Sequence, residues 1–131
     1  MPAWDRVYTT TAAAPITVVT TAETVALTFA GINTPSPSAT LAIVAQLDFT
    51  TGTGVTGVVL RVRRTGLTGT LVGSLRQSVS GASVQGAFDI VVVDAPPDIA
   101  SGPYVVTVVQ TGATGNGQVN TGSAGVAFCF T

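Results

Sequence analysis

The chain has 131 residues, which is enough for one domain whose hydrophobic core needs no metal or disulfide. Hydrophobic residues make up 46% of it and charged residues only 8%, against about 25% in an ordinary soluble domain. The net charge is −1, the five basic residues are all Arg, and there is no His. This composition argues against nucleic-acid binding and removes the commonest catalytic base and metal ligand. Because so little charge cannot cover a solvated monomer, we expect other protein chains to cover part of the surface.

The first 22 residues differ in composition from the rest, and we predict that they form an N-terminal extended arm or an edge strand. They contain Trp4 and Tyr8. Aromatic side chains with a polar end are good interface anchors, so both are candidate interface residues. The alternative is that they fill a hole in the chain's own sheet. The segment lacks a basic region followed by an apolar core, so we expect no secretion signal.

Residues 23–131 are predicted to form a β-sandwich domain, because apolar and polar residues alternate along short segments separated by Gly, Thr and Pro. A weaker strand is predicted at residues 71–79. With the N-terminal segment, this pattern gives about eight strands, which is typical of a sandwich or barrel. The residues predicted to share one face of each clear strand are Val25, Leu27 and Phe29; Leu41, Ile43, Ala45, Leu47 and Phe49; Val58, Leu60 and Val62; Phe88, Ile90 and Val92; Tyr104, Val106 and Val108; and Val126, Phe128 and Phe130.

Several predicted strands are apolar on both faces, notably at residues 41–45, 90–93 and 105–109. An antiparallel sandwich normally exposes one face of each strand to water. We therefore expect a neighbouring subunit to cover the second face. The alternative is that a loop, or the first 22 residues, folds over it.

The sequence carries no catalytic or metal-binding motif, so we expect no enzymatic activity, no cofactor and no metal. Asp94 and Asp98 flank an Ala-Pro-Pro turn and are predicted to make local turn hydrogen bonds. The lone Cys129 is predicted to be buried in the last strand. The acidic residues are scattered along the chain, at Asp5, Glu23, Asp48, Asp89, Asp94 and Asp98.

Arg61, Arg63 and Arg64 form the densest charge cluster in the sequence. One interpretation is a solvated strand face. The other is pairing between chains with carboxylates such as Asp89, because Arg forms bidentate bonds well at interfaces. All four residues are therefore candidate interface residues.

The order of segments in residues 23–131 resembles that of small bacteriophage virion proteins. The resemblance is carried by VVLRVRRTGLTGTLVG, by FDIVVVDAPPDIASGPYVVTVV, and by the Gly/Thr/Asn-rich loop and final strand that follow. It implies an all-β, antiparallel jelly-roll sandwich of the tumour-necrosis-factor-like type, with about eight strands. It also implies assembly as trimers that decorate capsids or form the knobs of head or tail fibres.

From this resemblance we expect a capsid decoration (cement) protein that binds the major capsid protein as a homotrimer. It would lie on the outer capsid surface of the virion, after assembly in the host cytoplasm, with no nucleic-acid or membrane partner. The alternatives are a receptor- or glycan-binding knob of a phage head or tail fibre, or another tail or collar component.

Overall fold

The computed structural model describes residues 6–32, 40–81, 83–94 and 103–130, and all regular structure within these ranges is β-strand. No helix able to span a membrane occurs in this part of the chain. The strands, all paired antiparallel, are β1 (Arg6–Thr11), β2 (Ile16–Val18), β3 (Thr24–Phe29), β4 (Thr40–Thr50), β5 (Gly57–Arg64), β6 (Leu71–Ser78), β7 (Gln85–Asp94), β8 (Tyr104–Thr111), β9 (Gly117–Val119) and β10 (Ala124–Phe130).

The strands form two sheets that pack face to face. In the six-stranded sheet, β7 pairs with one edge of β4, while β10 and then β9 pair with the other edge. β1 continues this sheet beyond β10, and β2 continues it beyond β9. The four-stranded sheet has the order β3-β8-β5-β6. Successive long strands thus cross between the two sheets, as in a jelly roll.

The core lies between the sheets and consists of the faces that alternation predicts. β4 is the clearest case, because its alternate residues from Leu41 to Phe49 are all buried. The rings of Phe49 and Phe88 meet edge to face with centroids 6.1 Å apart. The buried sets on the other strands include Val58, Leu60 and Val62; Phe88, Ile90 and Val92; and Tyr104, Val106 and Val108, all as predicted.

About eight strands were predicted and ten are present in the described ranges. The two additional strands are β2 and β9, which have three residues each and pair with one another. β9 lies within the Gly-rich stretch that we had assigned to a loop. A three-residue segment is too short to show alternation, so the pattern does not reveal it.

The prediction for the last strand is wrong, because Phe128 is exposed while Ala127 and Cys129 are buried. The cause is Phe29, whose ring occupies the space that larger side chains on β10 would need. A Cβ atom added at Gly125 would lie 2.7 Å from Phe29 Cζ. The small residues of β10 therefore face the core, and its large residues face outward. Burial of Cys129 is as predicted.

β3 also departs from simple alternation. Its register with β8 shifts between Val25 and Leu27, as at a β-bulge, so that Ala26 and Leu27 are both buried. Val25 is only half-buried and does not share the full burial of Leu27 and Phe29.

β8 is buried on both faces by the chain itself. Val105, Thr107 and Val109 face away from the core but are buried. Arg61 and Arg63 lie beside Thr107 and Val105 in the β5–β8 register, and the methylene stems of Arg cover neighbouring apolar surface. For β8, covering by the same chain is therefore correct, and covering by another subunit is not required.

Candidate functional site

The outer face of the six-stranded sheet is apolar and open to solvent. Two rows of side chains cross it in register: Val7, Phe128, Ala42 and Val93 in one row, and Thr9, Val126, Val44 and Val91 in the next. Val91 is 68% exposed, Val93 59% and Phe128 41%. We call the apolar members of both rows, namely Val7, Ala42, Val44, Val91, Val93, Val126 and Phe128, the apolar face.

The apolar face ends at a polar row. Thr11, Ala124, Gln46 and Asp89 follow in the next register positions. Contiguous exposed apolar surface of this kind marks an interaction site in most soluble proteins. Of the two-sided strands predicted from the sequence, those at 41–45 and 90–93 thus leave their second face uncovered within one chain. This is where an unrecorded partner would be required.

The predicted arginine cluster lies on the other sheet, where its members bind carboxylates of the same chain. Arg63 donates two hydrogen bonds to Glu23, from Nε to Oε2 (2.6 Å) and from Nη2 to Oε1 (3.0 Å). Arg61 Nη1 donates to Glu23 Oε1 (2.6 Å), and Thr107 Oγ1 donates to Oε2 (2.6 Å). Hydrogen bonds from Arg63, then from Thr107 and Arg61, outweigh the desolvation of Glu23 and lower the pKa of its carboxyl from 4.5 to about 2.

Arg64 has a separate partner. Its Nε and Nη2 donate to Asp94 Oδ2 (2.8 Å) and Oδ1 (2.6 Å), and the Tyr104 hydroxyl donates to Asp94 Oδ2 (2.8 Å). Asp94 is buried and connects the ends of β5, β7 and β8. The predicted role of Asp94 in local turn hydrogen bonds is therefore replaced by a long-range one. Asp98 lies outside the described residues.

Asp89 lies far from the arginines in the fold. It stands opposite Gln46 on the outer face of the six-stranded sheet and is exposed, whereas Arg61 and Arg63 project from the four-stranded sheet. Pairing between Asp89 and the arginines within one chain is thus excluded by the geometry. Pairing between chains stays a prediction.

The aromatic residues of the N-terminal segment divide. Tyr8 lies on β1, which is the edge strand beside β10, and it is half-buried and packed against the core. For residues 6–11 the edge-strand alternative is the one observed. Trp4 lies outside the described residues, so its role as an anchor stays a prediction.

The sequence gave no indication of a buried amide that joins three loops. Gln110 is completely buried at the end of β8. Its Oε1 accepts from Gly52 N–H (2.6 Å), and its Nε2 donates to the carbonyl groups of Thr20 (2.9 Å) and Gly115 (3.3 Å). A polar residue at a buried strand position is the only sequence signal for it. The result is a fixed set of loops at one end of the sandwich.

Within the described ranges, no group of His, Cys, Asp or Glu residues is placed to hold a metal ion. Asp48 instead accepts hydrogen bonds from Gln85 Nε2 (2.9 Å) and Asn120 Nδ2 (3.1 Å) through Oδ1. These bonds, that from Gln85 first, lower the pKa of Asp48. Their effect is to fasten β7 and the loop after β9 to β4.

Comparison with known proteins gives similarity of fold. No protein-family model matches the chain, and no curated protein does either. Among solved structures, a chain of infectious bursal disease virus, Gt strain, matches 98% of this chain with a TM-score of 0.59 and 16% identity. A chain of the VP2 subviral particle of that virus matches 95% with a TM-score of 0.51 and 15% identity. Eiger TNF from S. frugiperda matches 95% with a TM-score of 0.60 and 6% identity, over 91% of its own length.

The fold is a jelly-roll sandwich. The TNF-like type implied by the sequence resemblance agrees with the match to Eiger TNF, which extends over nearly the whole of both chains. Against the viral chains, this chain spans about a third of their length, 33% and 37%. The jelly roll is thus one part of those larger proteins and nearly all of this one.

Proposed function

We propose that this chain is a non-enzymatic structural protein of a virion, and specifically a capsid decoration protein that binds the major capsid shell as a homotrimer. The observation that carries the proposal is the apolar face, which is exposed across β1, β10, β4 and β7 of a jelly roll. The same fold occurs in chains of a virus particle, and the sequence pattern resembles small phage virion proteins.

The occupant we propose for the apolar face is a second copy of this chain. Every copy carries the same face, and a net charge of −1 gives little repulsion between copies. The face crosses four strands without a charged residue until Asp89 at its margin, so burying it leaves no unpaired charge inside. A closed ring of three copies covers the face and forms no open filament.

Shell binding is assigned to the N-terminal segment. β1 is the edge strand of the six-stranded sheet, so the residues before it leave the sandwich at its edge. Trp4, in that segment, is the proposed anchor on the major capsid protein. Such a contact stabilises the closed shell, because ligand binding to one state shifts the equilibrium toward it.

The test is cosedimentation with shells assembled from the major capsid protein of the same virus in the absence of this chain. We expect saturable binding and a higher temperature for shell opening. β1 begins at Arg6, so deletion of residues 2–5 removes Trp4 and leaves the strand intact. This deletion should abolish shell binding without changing the mass of the free protein. Failure of the full chain to bind shells would reject the decoration role.

A further inference from the structure

A shallow pocket lies at the loop end of the sandwich, away from the apolar face. It has a volume of about 230 Å³ and is lined by Thr56, Ser78, Val79 and Ser80. Three of these residues carry hydroxyl groups and one carries an apolar side chain. Thr56 precedes β5, and Ser78 ends β6.

Arg76 is fixed at the margin of this pocket. Its Nη1 donates to Ser78 Oγ (3.1 Å), and its Nη2 lies 3.4 Å from the Thr56 carbonyl oxygen and 3.5 Å from Thr111 Oγ1. Gly57 makes room for the guanidinium, since a Cβ atom there would lie 2.6 Å from Arg76 Nη2. The side chain is thus held against the strand before any ligand arrives.

The positive charge of Arg76 has no carboxylate partner in the described part of the chain. The salt bridges there belong to Arg61, Arg63 and Arg64. The bonding partners of Arg76 are neutral oxygens at the long end of the hydrogen-bond range. The loops at residues 51–56, 79–84 and 112–116 contain no Asp or Glu that would repel an anion.

We propose that this pocket binds a carboxylated sugar, with Arg76 receiving the carboxylate and the hydroxyl-bearing residues receiving the ring. A planar guanidinium matches the geometry of a carboxylate. Pockets for drug-sized ligands run from about 300 to 1,000 Å³, so a smaller pocket suits a single sugar ring. Val79 offers a surface for the apolar side of the ring, and the Ser80 hydroxyl has no side-chain bond to another described residue. The proposal is independent of shell binding.

The experiment is titration of the ¹⁵N-labelled full chain with glucuronate, followed by amide chemical shifts. We expect saturable shifts confined to the pocket residues, and binding of glucose at least tenfold weaker. Arg76→Gln should weaken glucuronate binding about tenfold or more, as expected for a lost charge-assisted hydrogen bond. Ser80→Ala, which removes only a hydroxyl, should weaken it severalfold even if Arg76→Gln disturbs the fold.

Ser74→Ala is the matched control, because Ser74 is an exposed residue of the same strand, two positions from Arg76. It should bind glucuronate as the unmodified chain does. Absence of localised shifts, or unchanged binding by Arg76→Gln, would overturn the proposal. Equal responses to acetate or to a glutamate-containing peptide would also overturn it, because the pocket would then recognise carboxylates without the sugar.

Discussion

The carboxylate of Glu23 should make a measurable contribution to the stability of the fold. It is bound by Arg61, Arg63 and Thr107, and its side chain is only 16% exposed. A pKa lowered from 4.5 to about 2 corresponds to at most about 3 kcal/mol of stabilisation at neutral pH. Partial access of water and salt reduces this, so we expect Glu23→Gln to cost about 2 kcal/mol at pH 7.

The pH dependence distinguishes this origin from simple loss of packing. Because the pKa of Glu23 is lower in the folded state, its stabilisation is complete above about pH 5 and is lost as the pH falls toward 2. The free energy of unfolding of the two proteins should therefore converge toward pH 2.

The assay is urea denaturation of the unmodified chain and of Glu23→Gln at several pH values between 7 and 2. Asp89→Asn is the control, because that carboxylate is exposed on the other sheet, and it should leave the unfolding free energy unchanged within about 0.5 kcal/mol. Equal stability of Glu23→Gln and the unmodified chain at pH 7 would refute the reasoning. So would a difference that does not depend on pH.

Three further substitutions test the core, the apolar face and the loop end. Val106→Asp places a charge in a fully buried position of β8 and should cost more than about 3 kcal/mol in urea denaturation; a cost below about 1 kcal/mol would contradict the assigned core. Phe128→Asp, at an exposed position of the apolar face, should keep the β-sheet circular dichroism but reduce the mass of the particle, whereas Thr28→Asp on the opposite sheet should not. Gln110→Leu leaves three backbone groups unpaired and should cost about 1–3 kcal/mol, with faster amide exchange at Gly52; unchanged exchange would argue against its role in joining the loops.

Alternation was sufficient to predict most of the sandwich, because a strand that packs on one side must place its apolar residues at every second position. β4 and β7 follow this rule over their whole length. It failed in β10, where the decisive fact is the position of Phe29 from a distant strand. Nothing within the sequence of β10 records that contact.

The candidate site was predictable only in part. That some strands carry a second apolar face was visible in the sequence, but its location on one sheet required the topology, since β8 is covered by its own chain. The partners of the arginines could not be predicted, because Glu23 is 38 and 40 residues away from Arg61 and Arg63. The pocket beside Arg76 likewise depends on Gly57 of a neighbouring strand.

The mass of the purified chain in solution, measured by light scattering over a range of concentrations, tests the central claim most directly. The chain has a mass of 13.1 kDa, so a closed trimer has about 39 kDa. We predict a stable particle of that mass whose apolar face is buried between copies. A monomer of 13.1 kDa at every concentration would contradict the account, because the apolar face would then be stable in water without a partner.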